Sequence, residues 1–127
     1  VKSRAAVLGL ALLLAVVGAG YYVSTNYGNF NYEWKTNLND YREYRLVGDS
    51  TLNGYVRANG EISVYILRKE DLRKLKDGEP FNYYQAWEHV KNVELEDIEI
   101  PDGDYVLVVK NEEKSMQWIS VKLVDEK

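Results

Sequence analysis

The sequence predicts a mainly β protein: an antiparallel β-sandwich with one or two short helices, preceded by an N-terminal transmembrane helix. Three observations predict it. Residues 5–23, AAVLGLALLLAVVGAGYYV, carry no charge. Beyond residue 40, short runs of alternating apolar and polar residues recur with Gly, Asn, Asp or Pro between them. The 127 residues include no cysteine and one histidine, so the domain relies on an apolar core instead of disulfides or a cysteine-bound metal.

The apolar run comes first. Its 19 residues make a helix of about 28 Å, close to the hydrocarbon thickness of a bilayer. Lys2 and Arg4 precede it, which predicts a cytoplasmic N-terminus and an exported remainder. A single-pass signal anchor held by membrane lipid along residues 5–23 is the leading expectation. Two alternatives lead to a secreted protein or a surface filament. Val17-Gly18-Ala19 suits a signal-peptide cleavage site, and Arg4-Ala5 resembles the cleavage site of archaeal prepilins.

The chain holds 16 basic and 20 acidic residues, and setting aside Lys2 and Arg4 leaves 14 against 20, a charge of −6. An acidic surface without a basic block excludes nucleic acid as an expected partner. Residues 24–40, STNYGNFNYEWKTNLND, read as an aromatic-rich spacer that passes into a first strand near residues 32–35. Residues 41–127 read as the folded domain.

Within it, YREYRLV (41–47) is a strand. Asn59-Gly60 is the pair best suited to a type I′ turn, and predicts a hairpin between arms at 54–58 and 61–67. In the second arm Ile62, Val64 and Ile66 share one face while Tyr65 and Leu67 occupy the other, the mark of a central strand. Leu72, Leu75 and the Glu70–Lys74 pair predict a short helix ended by Asp77-Gly78. Tyr83, Trp87 and Val90 have helical spacing, which predicts a second helix over 82–90. Strands follow at 93–100, 105–110 and 117–124, with turns at Pro101-Asp102-Gly103-Asp104 and 111–114.

Candidate site residues fall into three groups. Glu94, Glu96, Asp97, Glu99, Asp102 and Asp104 are acidic enough to suggest calcium, but they lack the spaced loop that binds it, and strand alternation explains the glutamates. His89 reads as a surface histidine. Eleven Tyr and three Trp are many for this length, and exposed aromatics recognise proteins and glycans. The candidate partner-binding aromatics are Tyr27, Phe30, Trp34, Tyr83, Tyr84, Trp87 and Trp118, the last on the face opposite Ile119 and Val121. No phosphate loop, nucleophile elbow or metal-ligand spacing occurs, so neither a cofactor nor an enzymatic activity is expected.

The strand ISVYIL (62–67), then Gly78-Glu79-Pro80-Phe81, then IPDGDYVLVVKN (100–111) resemble prokaryotic exported β-sandwich domains. The pattern is similar to the GOLD domain of the emp24 cargo-receptor family and covers roughly residues 54–123. That family carries its membrane helix at the C-terminal end and a cysteine pair, both unlike this chain. The resemblance implies a jelly-roll-like sandwich that binds other proteins, and no functional residue transfers with it. The expected function is a membrane-anchored, extracytoplasmic module that binds a protein or glycan. The alternative is a self-assembling filament subunit, either pilin-like or donating residues 27–34 to a neighbour's sheet.

Overall fold

The computed structural model describes residues 29–127. The apolar run at 5–23 and Tyr27 lie outside these residues. Among the described residues no helix is long and apolar enough to cross a membrane.

Six strands and one helix follow in the order β1 (Asn29–Leu38), β2 (Tyr41–Arg45), β3 (Ser50–Arg68), α1 (Lys69–Lys76), β4 (Gln85–Ile100), β5 (Tyr105–Asn111) and β6 (Gln117–Glu126). All pairings are antiparallel and all six strands join one continuous curled sheet. Its backbone is β3, 19 residues long, which pairs with β4 along one edge. On the other edge it pairs with β6 through Thr51–Ala58 and then with β5 through Ile62–Arg68. β1 extends the sheet beyond β6, and β2 extends it beyond β5. The sheet therefore begins at Asn29, inside the stretch read from sequence as a spacer.

Two expectations are corrected here. Asn59-Gly60 makes no hairpin turn. Both residues lie within β3, where the strand leaves β6 and joins β5, and neither has positive φ. The nearest neighbour that a Cβ on Gly60 would meet is a flexible side chain and not backbone. A Cβ on Gly60 would come within 2.7 Å of the Glu113 carboxylate. The second helix does not form either: residues 85–90 begin β4, so α1 is the one helix of the described residues.

The curl comes from irregularities in the β3–β4 ladder. Two residues of β4, Glu96 and Asp97, stand opposite Asn53 alone, and Glu88 and His89 stand opposite Ser63 alone. Each is a bulge, and each puts a non-glycine residue at positive φ: Asp97 at 48° and His89 at 57°. The β3 side chain opposite satisfies the displaced amide. Asn53 Oδ1 accepts from the Asp97 N–H at 2.9 Å, and Ser63 Oγ accepts from the His89 N–H at 3.1 Å. Between the bulges, residues 58–61 of β3 face only Lys91. This is the corner. Gly54, at φ +133°, lets β6 approach so closely that a Cβ would lie 1.9 Å from the Lys122 carbonyl oxygen.

The main core lies inside the curl. Leu52, Val56, Ile62, Val64 and Ile66 of β3 meet Leu107 and Val109 of β5, Ile119, Val121 and Leu123 of β6, and Val93 and Leu95 of β4. A second, smaller core lies on the outside of one half. Tyr65, Leu67, Val106 and Val108 point outward there and are covered by Leu72 and Leu75 of α1 and by Phe81. Glu70 and Asp71 in the first turn of α1 and Arg73, Lys74 and Lys76 in the last suit the helix dipole. As expected from Asp77-Gly78, the helix ends with Gly78 at φ +73°.

A buried polar junction closes the corner. Asn111 Nδ2 donates to the carbonyls of Leu38 at 2.9 Å, Ser115 at 2.8 Å and Asn39 at 3.3 Å. Its Oδ1 accepts from Glu113 N–H and from Gln117 Nε2, and Gln117 Oε1 accepts from Gly60 N–H. Two side chains thus tie the β1–β2 connection, the β5–β6 turn and the bend of β3 together.

Candidate functional site

The outer face formed by β1, β6 and the first half of β3 carries no helix among the described residues. Strand alternation puts Asn31, Glu33, Lys35 and Asn37 of β1 on it, with Trp118 and Ser120 of β6 and Tyr55 and Arg57 of β3. Ser120 pairs with Lys35 on one side and Arg57 on the other. A small side chain between two long cationic ones leaves a trough about 10 Å wide at two strand spacings. Trp118, two residues along β6, closes one end. It is 57% exposed, whereas its neighbour Ile119 is 2% exposed, as strand alternation requires. At the other margin β3 turns away at its corner, leaving Ala58 and Asn59 on the rim. The result is a groove of about 400 Å³ lined by Lys35, Arg57, Ala58, Asn59, Trp118, Ile119 and Ser120. That volume lies within the range of small-ligand sites.

Charge in this groove runs against the rest of the molecule. A chain with 20 acidic residues lines it with two cations and no carboxylate. Arg57 is held in place from two sides. Its guanidinium lies 3.8 Å from the centre of the Tyr55 ring, and its Nη2 donates to Glu94 at 3.2 Å. Lys35 forms no ion pair among the described residues and remains exposed.

The other candidate aromatics disperse. Tyr83 is 53% exposed and leans on Tyr65 and Phe81, with ring centres 6.2 Å from each. Tyr84, 42% exposed, meets Tyr105 edge-on at 6.2 Å. Trp87 faces the opposite way and packs half-buried against the main core. Tyr83, Tyr84 and Trp87 therefore form no common surface. Phe30 and Trp34 stand on β1, in register with Asp125 and Val121. Among the described side chains of the aromatics singled out from sequence, Trp118 lines the groove.

The acidic residues are spread along β4 and the turn after it. Glu94 pairs with Arg57, Asp104 with Arg45 at 3.5 Å, and Glu99 accepts from the Thr51 hydroxyl. Among the described residues no group of three or more His, Asp or Glu side chains is placed to hold a metal ion. His89 is exposed, with Nδ1 3.2 Å from Glu61 and Nε2 4.0 Å from Glu112. Beside it, the buried Ser63 hydroxyl donates to Glu112 at 2.6 Å and Tyr65 donates to Glu88 at 2.7 Å. Burial, reinforced by Glu88, pushes the Tyr65 phenol above its ordinary pKa, so it stays a donor. These bonds brace the His89 bulge against β3 and β5.

Sequence reasoning missed Lys35, Arg57, Asn59 and Ser120. Their types carried no signal, because they meet only through the β1–β6–β3 register. Comparison with known proteins adds no assignment: no protein-family model matches the chain, and no curated protein is significantly similar to it.

Proposed function

We propose that this chain is a membrane-anchored module that binds a partner outside the cytoplasm through the open face of its sheet. The observation that carries this reading is the groove beside Trp118, where an exposed indole stands over a polar, cation-flanked floor. Burying such an aromatic against a partner is the usual source of binding energy at interfaces. The uncharged run at 5–23 behind Lys2 and Arg4 supports the anchor. In this reading the two halves of the curled sheet act as facing layers of a jelly-roll-like sandwich, the plan that the GOLD-like pattern implies. The test is an array of peptides and glycans probed with the full chain in detergent. Specific ligands whose signal falls at least about tenfold with Trp118→Ala support the reading. Ligands unaffected by that change place binding elsewhere.

A second reading, assembly into a surface filament, is favoured by β1. It is an edge strand that pairs with β6 alone among the described residues, and it directly follows the N-terminal segment. Unpaired edges accept strands from other chains. Because the chain has no cysteine, an Asn31→Cys variant reports contacts cleanly. Disulfide-linked dimers formed on intact cells support edge pairing, and monomers alone argue against it.

A further inference from the structure

We infer that the groove beside Trp118 is a site for an acidic glycan, with a uronic-acid carboxylate between Lys35 and Arg57 and a sugar ring against the indole. The inference rests on the binding-module reading and names its ligand class.

Three features of the groove lead there. The first is charge. Lys35 and Arg57 flank Ser120 in a single cross-strand row, and none of the acidic residues lines the space. Glu94 engages Arg57 from outside the groove, and its attraction fixes the guanidinium instead of filling the trough. A neutral ligand would leave the Lys35 ammonium as it is in water. A carboxylate gains a charge-assisted hydrogen bond from it. The second feature is chemistry. Ile119 is buried and Ala58 packs against the main core, so the long or polar side chains at the groove are Lys35, Arg57, Asn59, Ser120 and Trp118. Four of the five carry polar groups able to hydrogen-bond, and the fifth presents a flat ring with an indole N–H. A peptide anchored by apolar side chains would find no pocket for them. A sugar offers hydroxyls to the polar groups and C–H bonds to the ring face.

The third feature is shape. The groove is open along the sheet, bounded by Trp118 at one end and by the departing corner of β3 at its margin. A trough of this kind admits an internal unit of a linear polymer and does not require a chain end. The floor is strand backbone on both sides of Ser120, paired to β1 and β3. It is preorganised, and binding therefore has little ordering cost on the protein side.

The test uses the full chain in detergent micelles with three probes: an oligomer of galacturonic acid, a galactose oligomer of equal length and a poly-glutamate peptide. Affinity is read by calorimetry, and indole fluorescence reports the site. The expected result is binding of the uronate oligomer at least about tenfold tighter than the neutral one. Raising salt should weaken it, because the exposed charges are screened. Trp118→Ala and Lys35→Glu should each reduce it about tenfold or more, with the far-ultraviolet spectrum unchanged. Equal binding of the galactose oligomer that is lost in Trp118→Ala overturns the acidic specificity and leaves the groove as a binding site. Equal or tighter binding of poly-glutamate overturns the sugar assignment. Failure of all three probes overturns the proposal, and the broader array then decides the module reading independently.

Discussion

The two outer faces of the curled sheet are built from the same kind of strand and have opposite fates. Over β2, β5 and the second half of β3, outward residues are apolar: Tyr65, Leu67, Val106 and Val108 are all buried. Over β1, β6 and the first half of β3, the outward positions include Glu33, Lys35, Tyr55, Arg57, Trp118 and Ser120. A strand with apolar residues on both faces needs a second cover, and α1 with Phe81 supplies it. The open face has no such demand. Among its described side chains, Trp118 is the large apolar one with more than half its surface in water. On the proposed reading, this uncovered indole beside a depression is what a partner would bury.

The largest test of this contrast is a charge placed under the cover. Val108→Lys inserts an ammonium between Glu43 of β2 and Tyr65 of β3 beneath α1, and should destabilise by about 4 kcal/mol or more. Trp118→Ala on the open face should cost about 0.5 kcal/mol or less. Urea midpoints of the two variants check both values, and similar losses would break the distinction between the faces.

The junction at the corner comes next. Asn111→Ala leaves three carbonyls, the Glu113 amide and Gln117 without their partner, and should cost about 2–3 kcal/mol. Because β3 runs through both halves, loss should appear as one earlier transition. Two separate transitions would show that the halves are independent.

Asp125 sharpens the comparison from inside the open half. Burial raises its pKa above the ordinary carboxylate value, although the Val47 amide donates to it at 2.6 Å. A raised acid favours the folded state when protonated. Its contribution is complete below the unfolded pKa, near 4, and is lost as pH rises through the folded value. Asp125→Asn should therefore gain about 1 kcal/mol over the native chain at pH 7, a gap that closes toward pH 3. Thermal melts across that range test it.

The smallest effect is at the edge of the cover. A hydrogen bond from Lys76 at 2.9 Å, chiefly, holds the Glu43 carboxyl below its usual pKa. A lowered acid stabilises above its unfolded pKa and loses that contribution as pH falls through the folded value. Glu43→Gln should cost less than about 1 kcal/mol at pH 7, because the pair is largely in water, and nothing at pH 2. The same melts read it out.

How much of this was legible in the sequence varies by element. Gly78 after a short amphipathic run identified the end of α1, because a left-handed cap has few other solutions. Ile62, Val64 and Ile66 opposite Tyr65 and Leu67 identified β3 as central. The helix expected at 82–90 was misread for a physical reason. Trp87 and Val90 are three residues apart and both face the main core, which mimics helical spacing. The bulge at Glu88 and His89 adds one residue to the strand and brings both side chains to the same face. A similar ambiguity attends Asn59-Gly60, a turn-type pair that continues β3 without positive φ. Trp118 was legible as an outward aromatic by alternation with Ile119. Lys35 and Arg57 lie on strands separated in sequence, and only pairing through Ser120 makes them neighbours.

The pairing of β1 with β6 has a mechanical meaning. Asn29 stands opposite Glu126, and the ladder runs from there to Leu38 opposite Gln117. Tension applied between those two ends would load the first pair alone, then the next, since antiparallel hydrogen bonds lie perpendicular to the strands. The sheet would peel at low force from this edge. Tension applied from Asn29 to a partner seated on the Trp118 face would leave β6 unpulled at its end and spread across the ladder. A tether at one end of β1 and a load on its flat side would make this a joint that resists a partner's pull better than a pull on its own tail.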